Sequence, residues 1–373
     1  MKIIHKNKTG KALLNMSLQK SRKKIDALDQ KILELLNERA KASREIGKLK
    51  EKDGQGIYAP HREKEILKRL KSLNHGLLTN EAIEAIYREI MSFSISLEKK
   101  VTIAYLGPPV TYTHQAAQKK FGSSVEYSPC SSISDVFAEV ENGRCEYGVV
   151  PVENSTEGAV NHTLDLFINS GLKIYAEIYL PIHHHLLSVG NPISSITQVY
   201  SKDQVFGQCR LWLESKLRGA DLVETASTAE AAQIVANNTN REGIACVASK
   251  IAADVYGLKV LASSIEDNPN NTTRFIVIAR HEAKPTKTDK TSVVFEIKDK
   301  AGALHDILVP FKKAHINLTK IVSRPSKKKV WNYYFFVDFE GHHEEARVQK
   351  TLKELSRHCH FLKVLGSYPK AEA

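Results

Sequence analysis

Two cations and a polar pair interrupt the apolar stripes of two helical segments near the N terminus. Arg39 falls within the stripe of the first segment, where a hydrophobic side chain is expected. Lys50 follows eleven residues later, and eleven helical steps of about 100° return to within roughly 20° of the same face. In the later segment, Ser94 occupies the stripe and Glu98 lies one turn beyond it. Such side chains inside a helical bundle predict a cationic pocket for a small polyanion.

Arg22 lies on the N-terminal continuation of the same stripe, three residues before Ile25. Because it is far from Arg39 along the helix axis, it is a candidate to enter the pocket of a partner chain. Structural interpretations stay open: Arg39 can snorkel to solvent or pair inside the bundle, and the polar pair can mark the end of its stripe.

Three polar strings follow predicted strands in the middle of the chain. The string Val150-Pro-Val-Glu-Asn-Ser-Thr-Glu-Gly158 lies between a strand and a helix, so its amides can hold an anion at a helix N terminus. A plain capped turn has a similar composition. Residues 201–209 open another helix, and residues 271–275 enter a strand with two hydroxyls and a guanidinium.

Histidine and cysteine do not predict a metal site. The three consecutive histidines at 183–185 lie in a predicted extended segment, where neighbouring side chains point to opposite faces, so a structural role is favoured. The five cysteines are scattered and form no CxxC pair, which predicts neither a zinc site nor a disulfide framework.

The elements that carry these residues change in type along the chain. Residues 18–100 read as three helices (18–52, 62–73 and a third capped by Thr79), preceded by a basic tail at 1–17. Residues 101–281 alternate strands with helices, which is typical of an α/β domain and, at this length, of two lobes around a cleft.

The C-terminal part has a different order of elements. Residues 282–290 read as a linker. Residues 291–373 then predict the order βαββαβ, a ferredoxin-like α+β sandwich. In that domain the string Gly302-Ala-Leu-His305 begins a helix and Ser323-Arg-Pro325 ends a strand, where exposed turn residues are the simplest interpretation.

Composition limits the class of protein. The chain has 373 residues, 42% hydrophobic and 26% charged, with a net charge of +12, and no apolar run approaches a membrane span. The first 100 residues hold 23 basic and 13 acidic side chains, so the basic character belongs to the N-terminal module. The first fifteen residues have no apolar core and do not read as a secretory signal, and we expect a cytoplasmic protein without membrane or nucleic-acid partners.

The N-terminal module resembles the all-helical chorismate mutase. The resemblance rests on five strings, at residues 22–29, 38–39, 50, 58–63 and 88–91. It implies that Arg39 and a neighbouring subunit's Arg22 bind the two carboxylates of chorismate, and that Lys50 and Glu98 face the ether oxygen. The remaining site residues that it implies are Arg62, Glu63 and Ser94.

The middle segment resembles prephenate dehydratase. The matching strings are residues 104–108, 111–115, 151–155, 165–167 and 273–275. The resemblance implies two α/β lobes with the site in the cleft between them, and it makes Thr273 the residue most closely tied to catalysis. The substrate-binding residues that it implies are Thr111, Thr113, Asn154, Ser155, Ser201, Gln208 and Arg274.

The last segment resembles the ACT regulatory domain of these dehydratases, which binds phenylalanine between two subunits. By that resemblance the effector residues are Gly302, Ala303, Leu304, Ser323, Arg324 and Pro325. The order of the three modules is that of the bifunctional chorismate mutase/prephenate dehydratase family. It implies conversion of chorismate to prephenate and then to phenylpyruvate, feedback inhibition by L-phenylalanine, no cofactor, no metal, and a homodimer or homotetramer.

Three alternatives remain open on the sequence alone. The helical module can serve only for dimerisation of a dehydratase. The chain can be a catalytically inactive ligand sensor built on a two-lobed scaffold and an ACT domain. Nucleic-acid binding by the basic helices is the third, and it requires solvated Arg39 and Lys50 side chains.

Overall fold

The fold is described from a computed structural model, which covers residues 3–52, 58–238, 242–297, 300–326 and 333–371; the side chains of residues 3–14, 51 and 52 lie outside the description. Three helices form the N-terminal helical module, as the sequence predicts: α1 (Ile3–Lys52), α2 (Pro60–Leu73) and α3 (Asn80–Glu98). The predicted cap of α3 is confirmed, because the Thr79 side chain accepts a hydrogen bond from the Ala82 amide at 3.2 Å.

Helix α1 is longer than its apolar pattern indicates. It spans 50 residues, about 75 Å at 1.5 Å per residue. Residues 3–17 are therefore helical, and the expectation of a separate tail is wrong for them. No proline interrupts this stretch, so the helix continues and keeps its backbone hydrogen bonds.

The first lobe of the middle domain is a six-stranded sheet with the order β2-β1-β3-β11-β5 and β4 paired to β3. Strands β1 to β3 are parallel, whereas β11 runs antiparallel between β3 and β5. The strands are β1 (Thr102–Leu106), β2 (Glu126–Cys130), β3 (Tyr147–Asn154), β4 (Gly158–Ala159), β5 (Lys173–Pro181) and β11 (Thr272–Ala279). The helices are α4 (Tyr112–Phe121), α5 (Ile133–Glu141) and α6 (Asn161–Asn169).

The second lobe is a five-stranded sheet with the order β10-β6-β9-β7-β8. The chain enters it after β5 and returns through β11, so two crossings join the lobes, and the predicted two-lobed α/β architecture is confirmed. The strands are β6 (His185–Ser188), β7 (Gln198–Ser201), β8 (Asp221–Glu224), β9 (Ile244–Ala248) and β10 (Lys259–Ala262). The helices are α7 (Asp203–Gln208), α8 (Arg210–Lys216), α9 (Thr228–Asn237) and α10 (Lys250–Tyr256).

The C-terminal domain has the predicted βαββαβ order and a four-stranded sheet, β13-β14-β12-β15. Its elements are β12 (Asp289–Ile297), α11 (Ala303–Lys313), β13 (Leu318–Pro325), β14 (Tyr333–Glu340), α12 (Ala346–Ser356) and β15 (Cys359–Pro369). Alternation along β12 sends Val293 and Phe295 into a core with the two helices, whereas Val294 packs against the first lobe.

The segment between the middle and C-terminal domains is shorter than expected. Strand β12 begins at Asp289 rather than at Ser292, and both Asp289 and Lys290 are buried. The expected linker of 282–290 therefore ends before residue 289. The prediction took a charged residue as the sign of an exposed linker. Lys290 is instead buried in an ion pair with Glu177 of β5 at 2.8 Å.

The described residues contain neither a membrane-spanning helix nor a cluster of metal-ligating side chains. No described helix is long and apolar enough to cross a bilayer. Of the three consecutive histidines, only His185 lies in a strand, so the extended conformation expected for all three is only partly correct. Within the described ranges no three metal-ligating side chains group together.

Candidate active sites

The helical module encloses one side of a cavity of about 900 Å³. Six of the seven residues predicted for a mutase site line it, and they come from all three helices. These residues are Arg39 and Lys50 of α1, Arg62 and Glu63 of α2, and Ser94 and Glu98 of α3. The structure therefore brings the side chains that interrupt the apolar stripes together at one cavity.

Two cross-helix contacts fix the cations of this cavity. Arg39 Nη1 donates to Ser94 Oγ at 2.5 Å, and Lys50 Nζ lies 3.1 Å from Glu98 Oε2. Burial lowers the pKa of Arg39 from its ordinary value, because desolvation disfavours its charge. Both cations are hydrogen-bonded and only partly exposed, so the solvated side chains that the nucleic-acid alternative requires are not found.

Gly47 lets α1 and α3 approach closely at the cavity, a feature that the sequence reasoning missed. A Cβ on Gly47 would lie 2.6 Å from the Glu98 Cγ and 2.9 Å from its Cβ. The only signal in the sequence is a glycine inside a long helical pattern, which usually has a packing reason.

The other two predicted cations lie further out. Arg62 pairs with Glu65 at 3.0 Å and is more than half exposed. Arg22 is exposed on α1 and does not line the cavity of its own chain. Arg39 follows Arg22 by 17 positions, which correspond to about 25 Å of helix.

A second polar cluster lies where β3 and β11 meet, facing the second lobe. Asn154 and Thr273 are directly paired across the two strands, and Asn154 Nδ2 donates to Thr273 Oγ1 at 2.8 Å. The same amide donates to Asn271 Oδ1 at 2.8 Å. Since Asn154 supplies the hydrogen of that bond, the Thr273 hydroxyl hydrogen is available to another acceptor.

This cluster continues into the second lobe through Gln208. Asn271 Nδ2 donates to Gln208 Oε1 at 3.0 Å, and His184 Nε2 lies 2.9 Å from the same oxygen. Burial lowers the pKa of His184 and favours its neutral form. Because the amide oxygen only accepts, the ring nitrogen must donate. Asn271 and His184 are site residues that the sequence reasoning missed, although both lie in or beside strings that it named.

Four other predicted residues are buried or hydrogen-bonded elsewhere. Thr111 caps α4 by accepting from the His114 amide at 3.3 Å, and Thr113 is buried in the first turn. Ser201 is fully buried and donates to the Val247 carbonyl at 2.7 Å. Ser155 accepts from the Thr272 amide at 2.9 Å and so attaches the β3 turn to β11.

The turn after β3 does not form a helix N terminus. Strand β4 returns along β3, pairing Gly158 with Asn154, and α6 starts only at Asn161 without a side-chain cap. The expected anion site at a helix N terminus is therefore wrong for this string. Asn154 Oδ1 instead accepts from the amides of Thr156 and Glu157, at 2.9 and 3.0 Å, and shapes the turn.

Arg274 points away from Thr273, because successive strand residues face opposite sides of the sheet. Its guanidinium is buried against Glu177 at 2.9 Å, Asp338 at 2.5 Å and the Tyr368 hydroxyl at 2.8 Å. Burial alone lowers the pKa of Arg274, but the negative neighbours reverse the shift and raise it well above the ordinary value. The expectation of a substrate ligand is thus corrected: Arg274 joins the middle and C-terminal domains.

The predicted effector residues occupy two elements of the C-terminal domain. Gly302 (φ +77°), Ala303 and Leu304 form the N terminus of α11. Ser323, Arg324 and Pro325 end β13, the edge strand of the sheet. Arg324 forms a bidentate pair with Asp165 of α6, at 3.1 and 2.7 Å, so its guanidinium is committed to the middle domain.

Family models match all three parts of the chain. The model described as chorismate mutase type II matches residues 21–99, that of prephenate dehydratase matches 103–283, and that of the ACT domain matches 291–357. These ranges follow the helical, two-lobed and C-terminal domains.

Relatives match nearly the whole chain. The chain is 52% identical over 358 residues to the bifunctional chorismate mutase/prephenate dehydratase of Aquifex aeolicus, covering 95% of this chain and 98% of the relative. It is 45% identical to that of Pseudomonas aeruginosa, with the same two coverages. A prephenate dehydratase of Arthrobacter aurescens, solved in complex with L-Phe, superimposes with a TM-score of 0.67 at 35% identity over 73% of this chain and 90% of that one. Sequence, domain order and fold agree, and the chain belongs to the bifunctional chorismate mutase/prephenate dehydratase family.

Proposed function

We propose that the cavity of the helical module rearranges chorismate to prephenate and that the cleft of the two-lobed domain converts prephenate to phenylpyruvate. The observation that carries this proposal is the meeting of six sequence-predicted residues from three helices in one cavity. Dimerisation alone does not require Arg39 and Lys50 to line an internal cavity.

The first reaction needs orientation and charge stabilisation rather than a nucleophile. Arg39 holds a carboxylate of the dianionic substrate. Lys50, held in place by Glu98, faces the ether oxygen, where negative charge develops as the C–O bond breaks. Arg62, Glu63 and Ser94 surround the remaining polar groups. The short Arg39–Ser94 contact supports a preorganised site, because it fixes the guanidinium across two helices.

The second reaction needs one placed proton. When the ring hydroxyl of prephenate is protonated, it leaves as water while the C–CO2 bond breaks, and the electron pair of that bond completes the aromatic ring. Thr273 donates to or positions that hydroxyl, since Asn154 already fills its acceptor side. Gln208, which lies in the same hydrogen-bonded cluster, binds the substrate beside it. Thr111, Thr113, Ser155 and Ser201 shape the walls of the cleft through their burial and their hydrogen bonds to the backbone.

L-Phenylalanine acts as the feedback effector at the C-terminal domain, between Gly302–Leu304 and Ser323–Pro325 of two subunits. The Arg324–Asp165 pair supports this regulation, because it joins the effector strand β13 to helix α6 of the dehydratase domain. A bound ligand that moves β13 therefore acts on the dehydratase domain directly.

The subunits pair through α1. Large apolar side chains are exposed along this helix, and a seam of this kind normally packs against a second helix. The seam residues, each about half exposed, are Ile25, Leu28, Ile32 and Leu35. In such a homodimer, or in a tetramer built from it, Arg22 enters the neighbouring subunit's cavity.

Two single variants, each assayed with both substrates, test the proposal. We expect Arg39→Ala to lower mutase turnover at least 100-fold while dehydration of added prephenate is kept, because one site loses a substrate ligand. Thr273→Ala is expected to do the reverse. A full mutase rate in Arg39→Ala, or full dehydration in Thr273→Ala, contradicts the corresponding assignment, and loss of both activities in either variant indicates misfolding.

A further inference from the structure

The cavity of the helical module is closed by the dehydratase domain. Lys120 and Phe121 at the C-terminal end of α4 line it, together with Tyr175 of β5 and His281 after β11. The mutase cavity therefore has a wall that lies outside residues 21–99, the part matched by the mutase family model.

Tyr58 ties the entry of α2 to this wall. It is buried in the dehydratase core, with ring centroids 4.9 Å from Phe121 and 5.7 Å from Tyr147. Its backbone is held as well, since Tyr175 donates its hydroxyl hydrogen to the Tyr58 carbonyl at 2.6 Å. The segment that leads into Glu63 is thus positioned by the second domain.

Lys120 reaches from this wall to a predicted mutase residue. Its Nζ lies 2.9 Å from Glu63 Oε2, and the Tyr58 hydroxyl donates to the same oxygen at 2.6 Å. The two side chains are mostly shielded, at 24% and 14% exposure for Lys120 and Glu63. A charge-assisted hydrogen bond in such a place is stronger than one in water.

We propose that Lys120 is a positioning residue of the mutase reaction, supplied by the dehydratase domain. It holds the Glu63 carboxylate in its place in the cavity and acts on the reaction through that carboxylate. The inference rests on the proposed mutase site, of which Glu63 is a member.

The test uses the full chain, with chorismate and prephenate assayed separately. We expect Lys120→Met to lower mutase kcat/KM about tenfold, the effect of losing one charged hydrogen bond. Lys120→Arg is expected to recover most of it, and dehydration of added prephenate is expected to stay at the wild-type rate. Lys119→Met is the matched control, since Lys119 donates to the Tyr179 carbonyl and does not line the cavity.

A double-mutant cycle with Glu63→Gln separates positioning from general packing. If Lys120 acts through Glu63, the double variant is no slower than Glu63→Gln alone. Additive losses, equal losses in both reactions, or a wild-type mutase rate in Lys120→Met each overturn the proposal. If Glu63→Gln itself leaves the mutase unchanged, the proposed mutase site fails, an outcome distinct from a failure of Lys120.

Discussion

At the scale of single residues, Gly47 determines how closely α1 and α3 meet behind the Lys50–Glu98 pair. In an exposed helix, replacing glycine by alanine stabilises by about 1 kcal/mol. Here the methyl group has no room, because the Glu98 side chain already occupies its place. For Gly47→Ala, helix propensity therefore predicts a gain in stability, whereas packing predicts a loss.

We expect Gly47→Ala to lower mutase turnover about tenfold, because Glu98 must move away from its ion pair with Lys50. Chorismate consumption measures this. Lys48→Ala, a change to the exposed neighbour, is the control and is expected to keep the wild-type rate. A fully active and more stable Gly47→Ala variant contradicts the close-packing argument.

The residues of the helical cavity could be predicted because helical periodicity assigns a face to each position. Arg39 and Lys50 stood out against an apolar stripe, and the cavity contains both. Period-two alternation could likewise have separated Arg274 from Thr273. Asn271 and His184 could not be found in this way, because they lie in the crossings between lobes, where no periodicity applies.

At the scale of elements, β11 carries two functions on its two faces. Thr273 faces the cleft, whereas Arg274 enters a buried polar group shared with the C-terminal sheet. In this group Ser292 Oγ and the Tyr368 hydroxyl lie 2.6 Å apart, and Ser292 donates to Asp338 at 2.6 Å. Burial alone raises the pKa of Asp338, but Arg274 beside it reverses the shift and lowers it.

Removal of the Tyr368 hydroxyl tests this buried contact between the middle and C-terminal domains. Tyr368→Phe removes one buried hydrogen-bond partner each from Arg274 and Ser292, which we expect to destabilise the protein by about 1–3 kcal/mol. The urea unfolding midpoint followed by far-UV circular dichroism measures the change. Tyr333→Phe on β14 of the same sheet, at 36% exposure, is expected to change it little. Equal midpoints for Tyr368→Phe and the wild type exclude a structural role of this hydroxyl.

Long elements were easier to predict than edge elements. The βαββαβ order followed from clear alternation, whereas β2 was missed because Pro129 interrupts a short strand at the edge of its sheet. Lys290 was assigned to a linker on account of its charge. In the structure that charge is balanced by Glu177, which is more than 100 residues earlier in the sequence. An ion pair between residues so far apart in the sequence leaves no local pattern from which burial could be predicted.

At the scale of the whole molecule, the proposed dimer gives each mutase site residues from two chains. Arg22→Ala and Arg39→Ala homodimers then each have two defective sites. A mixed dimer recovers one intact site, which combines the Arg39 of one chain with the Arg22 of the other.

Equal co-expression of the two variants is expected to restore about a quarter of the wild-type mutase activity, since half of the dimers are mixed and each has one intact site of two. Separately purified variants, mixed without subunit exchange, serve as the control. If co-expressed chains stay inactive although mixed dimers are isolated through two affinity tags, Arg22 does not act across the interface.

Stability is expected to depend on pH through several buried and partly buried histidines. Desolvation by burial lowers the pKa of each, relative to about 6.5 in the unfolded chain, and the histidines are His61, His114, His184, His185, His281 and His343. The unfolded chain therefore binds more protons, so this stability is complete above about pH 6.5 and is lost as the pH falls below it.

We accordingly expect a lower urea midpoint at pH 5.5 than at pH 7.5. His184→Gln is expected to make this dependence shallower, whereas His305→Gln, at an exposed position, leaves it unchanged. Carboxyl groups with lowered pKa values titrate below about pH 4.5 and do not act in this window. An equal midpoint at both pH values contradicts the prediction.

Helix α4 extends from its cap Thr111, a proposed residue of the dehydratase cleft, to Lys120 at the proposed mutase cavity, a distance of about 14 Å along its axis. Natural selection therefore acts on this helix through two reactions at once. A substitution that improves one end is retained only if the other end tolerates the shift. Division of the gene after codon 100 also exposes Tyr58 on one product and leaves a hole in the core of the other. Lineages that separate the two enzymes should therefore show compensating replacements at both of these faces.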